Sequence, residues 1–246
     1  MNTDIFFEIH QGLPREGPGN FESTQRAYSA LTDLPEQPLI LDLGCGPGMQ
    51  TFHLLELSNG KIIAVDNHQP FLDQLREEAV KKGVRDRVEV VNADMSALEF
   101  NPNSFDLIWA EGSAYSIGFE NALRSWKPLL KERGYLAATE ISWMNSNPPE
   151  KLQQFWAEEY PQMRDIQSNL TLISRAGYHP VGYFVLPESA WWEDYYTPLE
   201  QKLIGLSQKY QDDAEKLAVI ELHQLEIDLY RQYSADYGYV FYIVQV

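Results

Sequence analysis

Three glycines crowd the segment Asp42-Leu43-Gly44-Cys45-Gly46-Pro47-Gly48, directly after the apolar run Leu39-Ile40-Leu41. Glycines at this spacing let the backbone turn sharply and let a ligand approach where a Cβ would otherwise stand. A helix beginning there points its free N–H groups into the same space, which suits a carboxylate or hydroxyls. Asp66 ends the next apolar run, 22 residues beyond Gly44. In a doubly wound fold an acid at that place accepts hydrogen bonds from ribose hydroxyls. Asp94 and Glu111 fall at or just past the ends of two further strand-like runs. Three carboxylates around one crevice would suit a cationic ligand.

Two ligand classes compete for such a turn. A dinucleotide fingerprint is G-x-G-x-x-G. Here the third glycine comes one place early, and Met49 stands where it is required. Asp42, inside the turn, would repel a pyrophosphate but sits well beside an amine or a sulfonium. Spacing and charge therefore favour S-adenosylmethionine over NAD, and an NAD(P)-linked oxidoreductase is the disfavoured alternative. A bare strand–helix connection without a ligand is the bland reading of the turn, and helix capping is the bland reading of Asp66 and Asp94.

The elements that must hold these residues can be read from apolar periodicity. Leu39–Leu43, Lys61–Asp66, Val88–Val91, Phe105–Ala110 and Gly134–Ile141 read as buried strands. Helical segments alternate with them: Thr51–Leu57, Gln69–Lys82 with Phe71, Leu72, Leu75 and Ala79 on one stripe, and Ala122–Lys131. Strand–helix alternation with short connections means a parallel sheet covered on both faces. Before it, residues 1–37 begin irregularly, Gly12–Gly19 forms a loop with three glycines and two prolines, and a helix follows over Ser23–Leu31. After Ser142, residues 148–176 look helical and Tyr178–Leu186 reads as a strand. Two long helices fill residues 188–236, and Tyr239–Val246 is a last strand. The chain thus reads as one domain, 1–246, with a cap or loop at 1–37 and a helical insertion at 187–237 acting as a lid or a dimer contact.

Four segments carry a family resemblance. Leu41-Asp42-Leu43-Gly44-Cys45-Gly46-Pro47-Gly48 resembles motif I of the class I S-adenosylmethionine-dependent methyltransferases, D/E-x-G-x-G-x-G. Ala64-Val65-Asp66-Asn67, Asn92-Ala93-Asp94-Met95 and Phe105–Glu111 resemble the motifs that follow it, in order and spacing. The resemblance implies a doubly wound, Rossmann-like α/β fold. Its seven-stranded, mostly parallel sheet would have an antiparallel last strand, with the helical insertion preceding that strand. It implies S-adenosylmethionine as cofactor and S-adenosylhomocysteine as product. Asp42 and the Gly44, Cys45, Gly46 and Gly48 backbone would cradle the methionine moiety, Asp42 near its ammonium. Asp66 would bind the ribose, and Asn67 would lie against the adenosine. Asp94 would accept from the adenine amine, with Met95 beside the ring, and Glu111 and its neighbours would flank the methyl side. The Gly12–Gly19 loop resembles an N-terminal segment of the broad "type 11" small-molecule group, which places Arg15 on the cofactor carboxylate as a bidentate partner.

No catalytic base announces itself. His10, Tyr115 and Tyr195 are weak candidates, each with core packing or an ordinary surface position as its bland reading. His53 reads as structural. Cys45 has no neighbouring histidine to activate it and reads as a small buried residue. Trp191-Trp192-Glu193-Asp194-Tyr195-Tyr196 would pair Trp191 with Tyr195 and Trp192 with Tyr196 on a helix, as core or as an aromatic wall of the acceptor pocket.

Composition narrows the partners. The 246 residues carry 19 Lys and Arg against 36 Asp and Glu, a formal charge of −17 that repels nucleic acid. The single cysteine excludes an internal disulfide and a multi-cysteine metal site, so no metal is expected and a reducing, cytoplasmic setting is. No apolar run is long enough to span a membrane, and the opening Met1–Glu8 does not read as a signal peptide. The expected function is methyl transfer to a small-molecule acceptor. A protein or peptide methyltransferase and a silent cofactor-binding protein are the alternatives, with a homodimer as one reading of the inserted helices.

Overall fold

The structure is a computed structural model and describes residues 3–246. The opening residues considered for a signal peptide lie partly outside it. Seven strands form one ladder in the order β3-β2-β1-β4-β5-β8-β7. They are β1 (Leu39–Leu43), β2 (Lys61–Asp66), β3 (Val88–Asn92), β4 (Phe105–Ala110), β5 (Leu130–Trp143), β7 (His179–Val185) and β8 (Tyr237–Gln245). A two-residue β6 (Arg164–Asp165) pairs with the end of β5. Strands β3 to β5 run parallel, and β8 lies antiparallel between β5 and β7. Strand order reverses between β1 and β4, which opens a crevice at their carboxyl ends.

The central strands are almost wholly apolar because helices cover both faces. Residues 40–43 of β1 are all buried, and so are residues 107–110 of β4. One face packs on α3 (Met49–Leu57) and α2 (Phe21–Ser29), where Ala27, Leu54, Leu55, Trp109 and Phe241 meet in one cluster. The other face carries Phe119, Leu123 and Trp126 of α5 (Phe119–Trp126) and Ile173 of α7 (Ile166–Arg175). Helix α4 (Gln69–Lys81) buries the predicted stripe Phe71, Leu72, Leu75 and Ala79.

A third cluster lies beyond the sheet edge. It joins α1 (Thr3–His10), α6 (Glu150–Glu159), α8 (Ser189–Trp191), α9 (Thr197–Lys209) and α10 (Ala214–Tyr233) through Ile5, Ile9, Leu152, Trp191, Leu199, Leu203 and Ile227.

Four expectations change here. Residues 3–10 are helical, because Ile5 and Ile9 find an apolar seat against the inserted helices. The helix expected over Ser23–Leu31 begins earlier, at Phe21, where the Asn20 side chain accepts from the Ser23 amide and caps it. The helical stretch expected over 148–176 is two helices broken at Tyr160–Met163, where Pro161 cannot continue α6. The tryptophan–tyrosine string contains a π-helical turn, Trp192–Tyr196. That wider turn brings Trp191 to Tyr196, at 5.5 Å between ring centroids, rather than to Tyr195.

Candidate active site

The turn after β1 is tied down by its own backbone. The amides of Gly44 and Cys45 both donate to Val65 O, at 2.8 and 3.0 Å. Gly44 has φ +69°, and a Cβ there would stand 2.3 Å from Ser113 Cβ, so the tips of β1 and β4 meet with no room for a side chain. The Ser113 hydroxyl closes that contact by donating to Leu43 O at 2.7 Å.

Asp66 is the electrostatic centre of this edge. The Gly46 amide donates to its Oδ2 and the His68 amide to its Oδ1, each at 2.9 Å. The glycine turn and the end of β2 are thereby fixed to one carboxylate, which lines a cavity of about 520 Å³. Gly44, Gly46, Asn67, His68, Phe71, Ala93 and Met95 line the same cavity. Farther along the sheet edge its walls are Tyr115, Ile141, Phe155, Trp156, Tyr160, Trp191, Tyr195 and Tyr239. The N-terminal segment adds Phe6, Phe7, His10 and Glu16, with Phe7 stacked on His68 at 3.7 Å. Among the described residues no lysine or arginine lines the cavity, whereas Glu16, Asp66, Glu159 and Glu226 do.

The predicted site residues divide accordingly. Gly44, Gly46, Asp66, Asn67, Met95, His10, Tyr115 and Tyr195 are brought to one cavity. Asp42 is not: it is fully buried beneath the turn, accepts from Thr51 Oγ1 at 2.5 Å, and burial pushes its carboxyl up to about 7. Arg15, expected on the cofactor carboxylate, and Glu111, expected on the methyl side, are instead bound to each other at 2.6 Å. Glu111 also accepts from Thr24 Oγ1 and Trp109 Nε1, so it faces the core while its neighbours Gly112 and Ser113 face the cavity. Cys45 is buried, and desolvation raises its thiol, which removes it as a nucleophile. Gly48 packs under Leu75. Asp94 is exposed beside the lining residues Ala93 and Met95, and it accepts from the Ser96 amide at 2.8 Å.

Sequence reading passed over Glu16, Trp156, Tyr160, His223 and Glu226. Burial pushes Glu16 up to about 8, aided by nearby Asp66, and raises Glu226. His10 is held down to about 4 by burial, with Lys202 acting in the same direction. The only local signal for Glu16 is its place in the Arg15-Glu16-Gly17-Pro18-Gly19 loop.

Comparison with known proteins agrees with this geometry. Residues 40–134 match the family described as a methyltransferase domain. Phosphoethanolamine N-methyltransferase 1 of Triticum aestivum is 25% identical over 164 residues, which cover 66% of this chain and 32% of that protein. The chain thus matches about a third of the length of that curated relative. An S-adenosylmethionine-dependent methyltransferase from Geobacter sulfurreducens, solved with S-adenosyl-L-homocysteine, superposes with a TM-score of 0.83 at 19% identity, covering 98% of this chain and 97% of that one. The [4+2]-cyclase SpnF superposes with a TM-score of 0.74 at 17% identity, covering 99% and 91%. The chain has the fold of those S-adenosylmethionine-dependent methyltransferases, a mostly parallel α/β sheet with one antiparallel strand, and its residues 40–134 match the methyltransferase-domain family.

Proposed function

We propose that this chain methylates a small molecule, with S-adenosylmethionine held along the carboxyl edge of β1, β2 and β3. One observation carries the reading: a single cavity runs from the Gly44–Gly46 turn and Asp66 to an aromatic wall built by Tyr115, by Phe155 and Trp156 of α6, and by Trp191 and Tyr195 of the inserted helices. The residues fit the cofactor. Asp66 offers carboxylate oxygens to a ribose diol, Asn67 and Met95 flank an adenine, and a lining of carboxyls without lysine or arginine accepts a sulfonium. Bound there, S-adenosylmethionine supplies an electrophilic methyl group. The protein's task is then to orient the acceptor, exclude water and accommodate a proton. Arg15, Asp42 and Glu111 act beneath the site, bracing the turn and the loop that lie over it.

The same lining speaks to the acceptor. An anionic group would lose its hydration beside Glu16, Glu159 and Glu226 with no guanidinium or ammonium to replace it. We therefore assign a neutral or cationic acceptor with an apolar or aromatic body, and not a phosphorylated one. Helices α8 to α10 serve as a lid in this reading, since Trp191, Tyr195 and Glu226 reach the cavity. The lone cysteine, buried, suits a cytoplasmic enzyme.

Calorimetry with S-adenosylmethionine, S-adenosylhomocysteine and NAD tests the cofactor. Binding of the adenosyl compounds alone is the expected result, and no binding of either defeats the reading. Transfer of a labelled methyl group into a small-molecule metabolite extract tests the reaction. Label appearing only on protein would favour the peptide-methylating alternative.

A further inference from the structure

Two side chains from the N-terminal segment and one from α10 meet at the cavity wall. His10 closes α1, Glu16 lies in the loop after it, and His223 sits on α10. His10 Nε2 is 3.2 Å from His223 Nε2, and His10 Nδ1 is 2.8 Å from Glu16 Oε2, off the line of an ideal hydrogen bond. His223 Nδ1 is 2.8 Å from Val219 O. All three side chains line the cavity; Glu16 Oε1 and His10 Nδ1 are both buried without a formed hydrogen bond, so the 2.8 Å gap from Nδ1 to Oε2 is the one contact of the three that a small rotation must close.

The protons in this string can be counted. A backbone carbonyl only accepts, so His223 Nδ1 must carry a proton. Neutral His223 then has a bare Nε2, which requires a proton on His10 Nε2. Neutral His10 in turn has a bare Nδ1, which requires the proton of the last contact to come from Glu16. Three contacts thus hold three protons and no net charge. The only other filling with three protons and no net charge that keeps His223 neutral moves one proton across the gap, making Glu16 a carboxylate and His10 an imidazolium. Burial favours the first filling, since it raises Glu16 and lowers both His10 and His223. The charged groups nearby are Asp66 from β2, Lys202 from α9 and Glu226 one turn along α10 from His223.

We propose that Glu16, His10 and His223 form a proton-sharing string that receives the proton an acceptor gives up on methylation. The use assigned to the string rests on the methyltransferase reading above. An acceptor X–H that forms its X–C bond releases one H⁺ as the electron pair of the broken C–S bond stays on sulfur. That proton enters at the free Glu16 Oε1 as the Oε2 proton crosses to His10 Nδ1. The string then carries the single positive charge that the sulfonium has lost. Glu16 is the group that faces the acceptor, and His10 and His223 are positioning residues that act through it.

Side-chain ¹⁵N spectra of histidine-labelled protein and the ¹³C shift of the Glu16 carboxyl, followed from pH 5 to 9 with and without S-adenosylhomocysteine, test the string directly. The expected result is His10 as the Nε2–H tautomer, His223 as the Nδ1–H tautomer, both neutral at pH 6, and Glu16 titrating near pH 8. Glu16→Gln, whose amide can donate to His10 Nδ1, should leave both tautomers in place. With the labelled extract as probe it should slow methyl transfer about 100-fold, at undiminished S-adenosylhomocysteine affinity. His10 titrating as an ordinary imidazole, Glu16 ionised throughout, or a Glu16→Gln enzyme of normal rate would each overturn the proposal. Loss of S-adenosylhomocysteine binding by the wild type would instead overturn the methyltransferase reading, and the spectra would still decide whether the string exists.

Discussion

Arg15 donates through Nη2 to Glu111 Oε2 at 2.6 Å, with the two side chains only 4% and 1% exposed. Arg15 Nε also donates to Gly17 O at 3.0 Å, so the N-terminal loop is fastened to the tip of β4 by a sealed ion pair. Removing one partner of such a pair leaves a buried charge uncompensated, at about 3–5 kcal/mol. Arg15→Ala should therefore lower the denaturation midpoint strongly, while the folded fraction keeps its affinity for S-adenosylhomocysteine. Urea unfolding and calorimetry on the same sample check this. A variant that is stable but binds the ligand weakly would return Arg15 to the cofactor's carboxylate.

Asp66→Ala should act in the opposite sense. Its carboxylate fixes Gly46 and His68 through their amides and leaves lone pairs facing the cavity. Hydrogen bonds to a charged group contribute about 1.5–3 kcal/mol, so affinity for S-adenosylhomocysteine should fall roughly 10- to 150-fold. An unchanged isotherm would remove Asp66 from the ribose.

The framework of this site was legible in the sequence, and the way its side chains turn was not. Strands β1 and β2 read as apolar runs because both faces of a parallel sheet are covered, and the turn announced itself through Gly44, Gly46 and Gly48. Asp42 and Glu111 were visible as acids at strand ends. Whether a strand-end side chain faces the crevice or folds under it depends on partners such as Thr51 and Arg15, which periodicity does not disclose. His223 and Glu226 were invisible for another reason. They join Glu16 only because α10 folds back over the N-terminal segment, a juxtaposition of residues some two hundred positions apart. Helix α1 was missed because its eight residues owe their order to the cluster they pack against rather than to local propensity.

Gly44→Ala and Gly205→Ala make a matched pair. At Gly44 the new methyl would meet Ser113 Cβ at 2.3 Å on a backbone with φ +69°. Overpacking costs about 1–3 kcal/mol and a left-handed non-glycine residue about 1–2 more, so cofactor binding should disappear with the turn. At Gly205, inside α9, a Cβ meets nothing within 4 Å. Alanine there should raise stability by about 0.5–1 kcal/mol. Thermal melts of the two variants should move in opposite directions, and a tolerated alanine at 44 would mean that the β1 and β4 tips are not in contact.

The pH dependence of stability should run downward through neutrality. Glu140 is 1% exposed on β5, and it accepts from Tyr160 OH at 2.7 Å through Oε1 while Oε2 has no partner. Burial pushes it up to about 8, as it does Glu16, and pushes Asp42 up to about 7. In the unfolded chain these carboxyls release their protons near pH 4. Between about pH 5 and 8 the folded protein therefore holds protons that the unfolded chain has lost, and raising the pH favours unfolding. The slope is up to about 1.4 kcal/mol per pH unit for each such group. On the acid side His10 acts oppositely. Its folded value of about 4 means that stability falls as pH drops below the ordinary imidazole range, because the unfolded chain then takes up the proton first. Urea unfolding from pH 6.5 to 9, above the range in which the buried histidines act, should show stability falling as the pH rises. Glu140→Gln keeps the Tyr160 hydrogen bond without the titration, so it should match the wild type at pH 5 and exceed it at pH 9. A wild type that grows more stable from pH 6.5 to 9, or a variant whose curve stays parallel to it, would mean that Glu140 is ionised inside the fold.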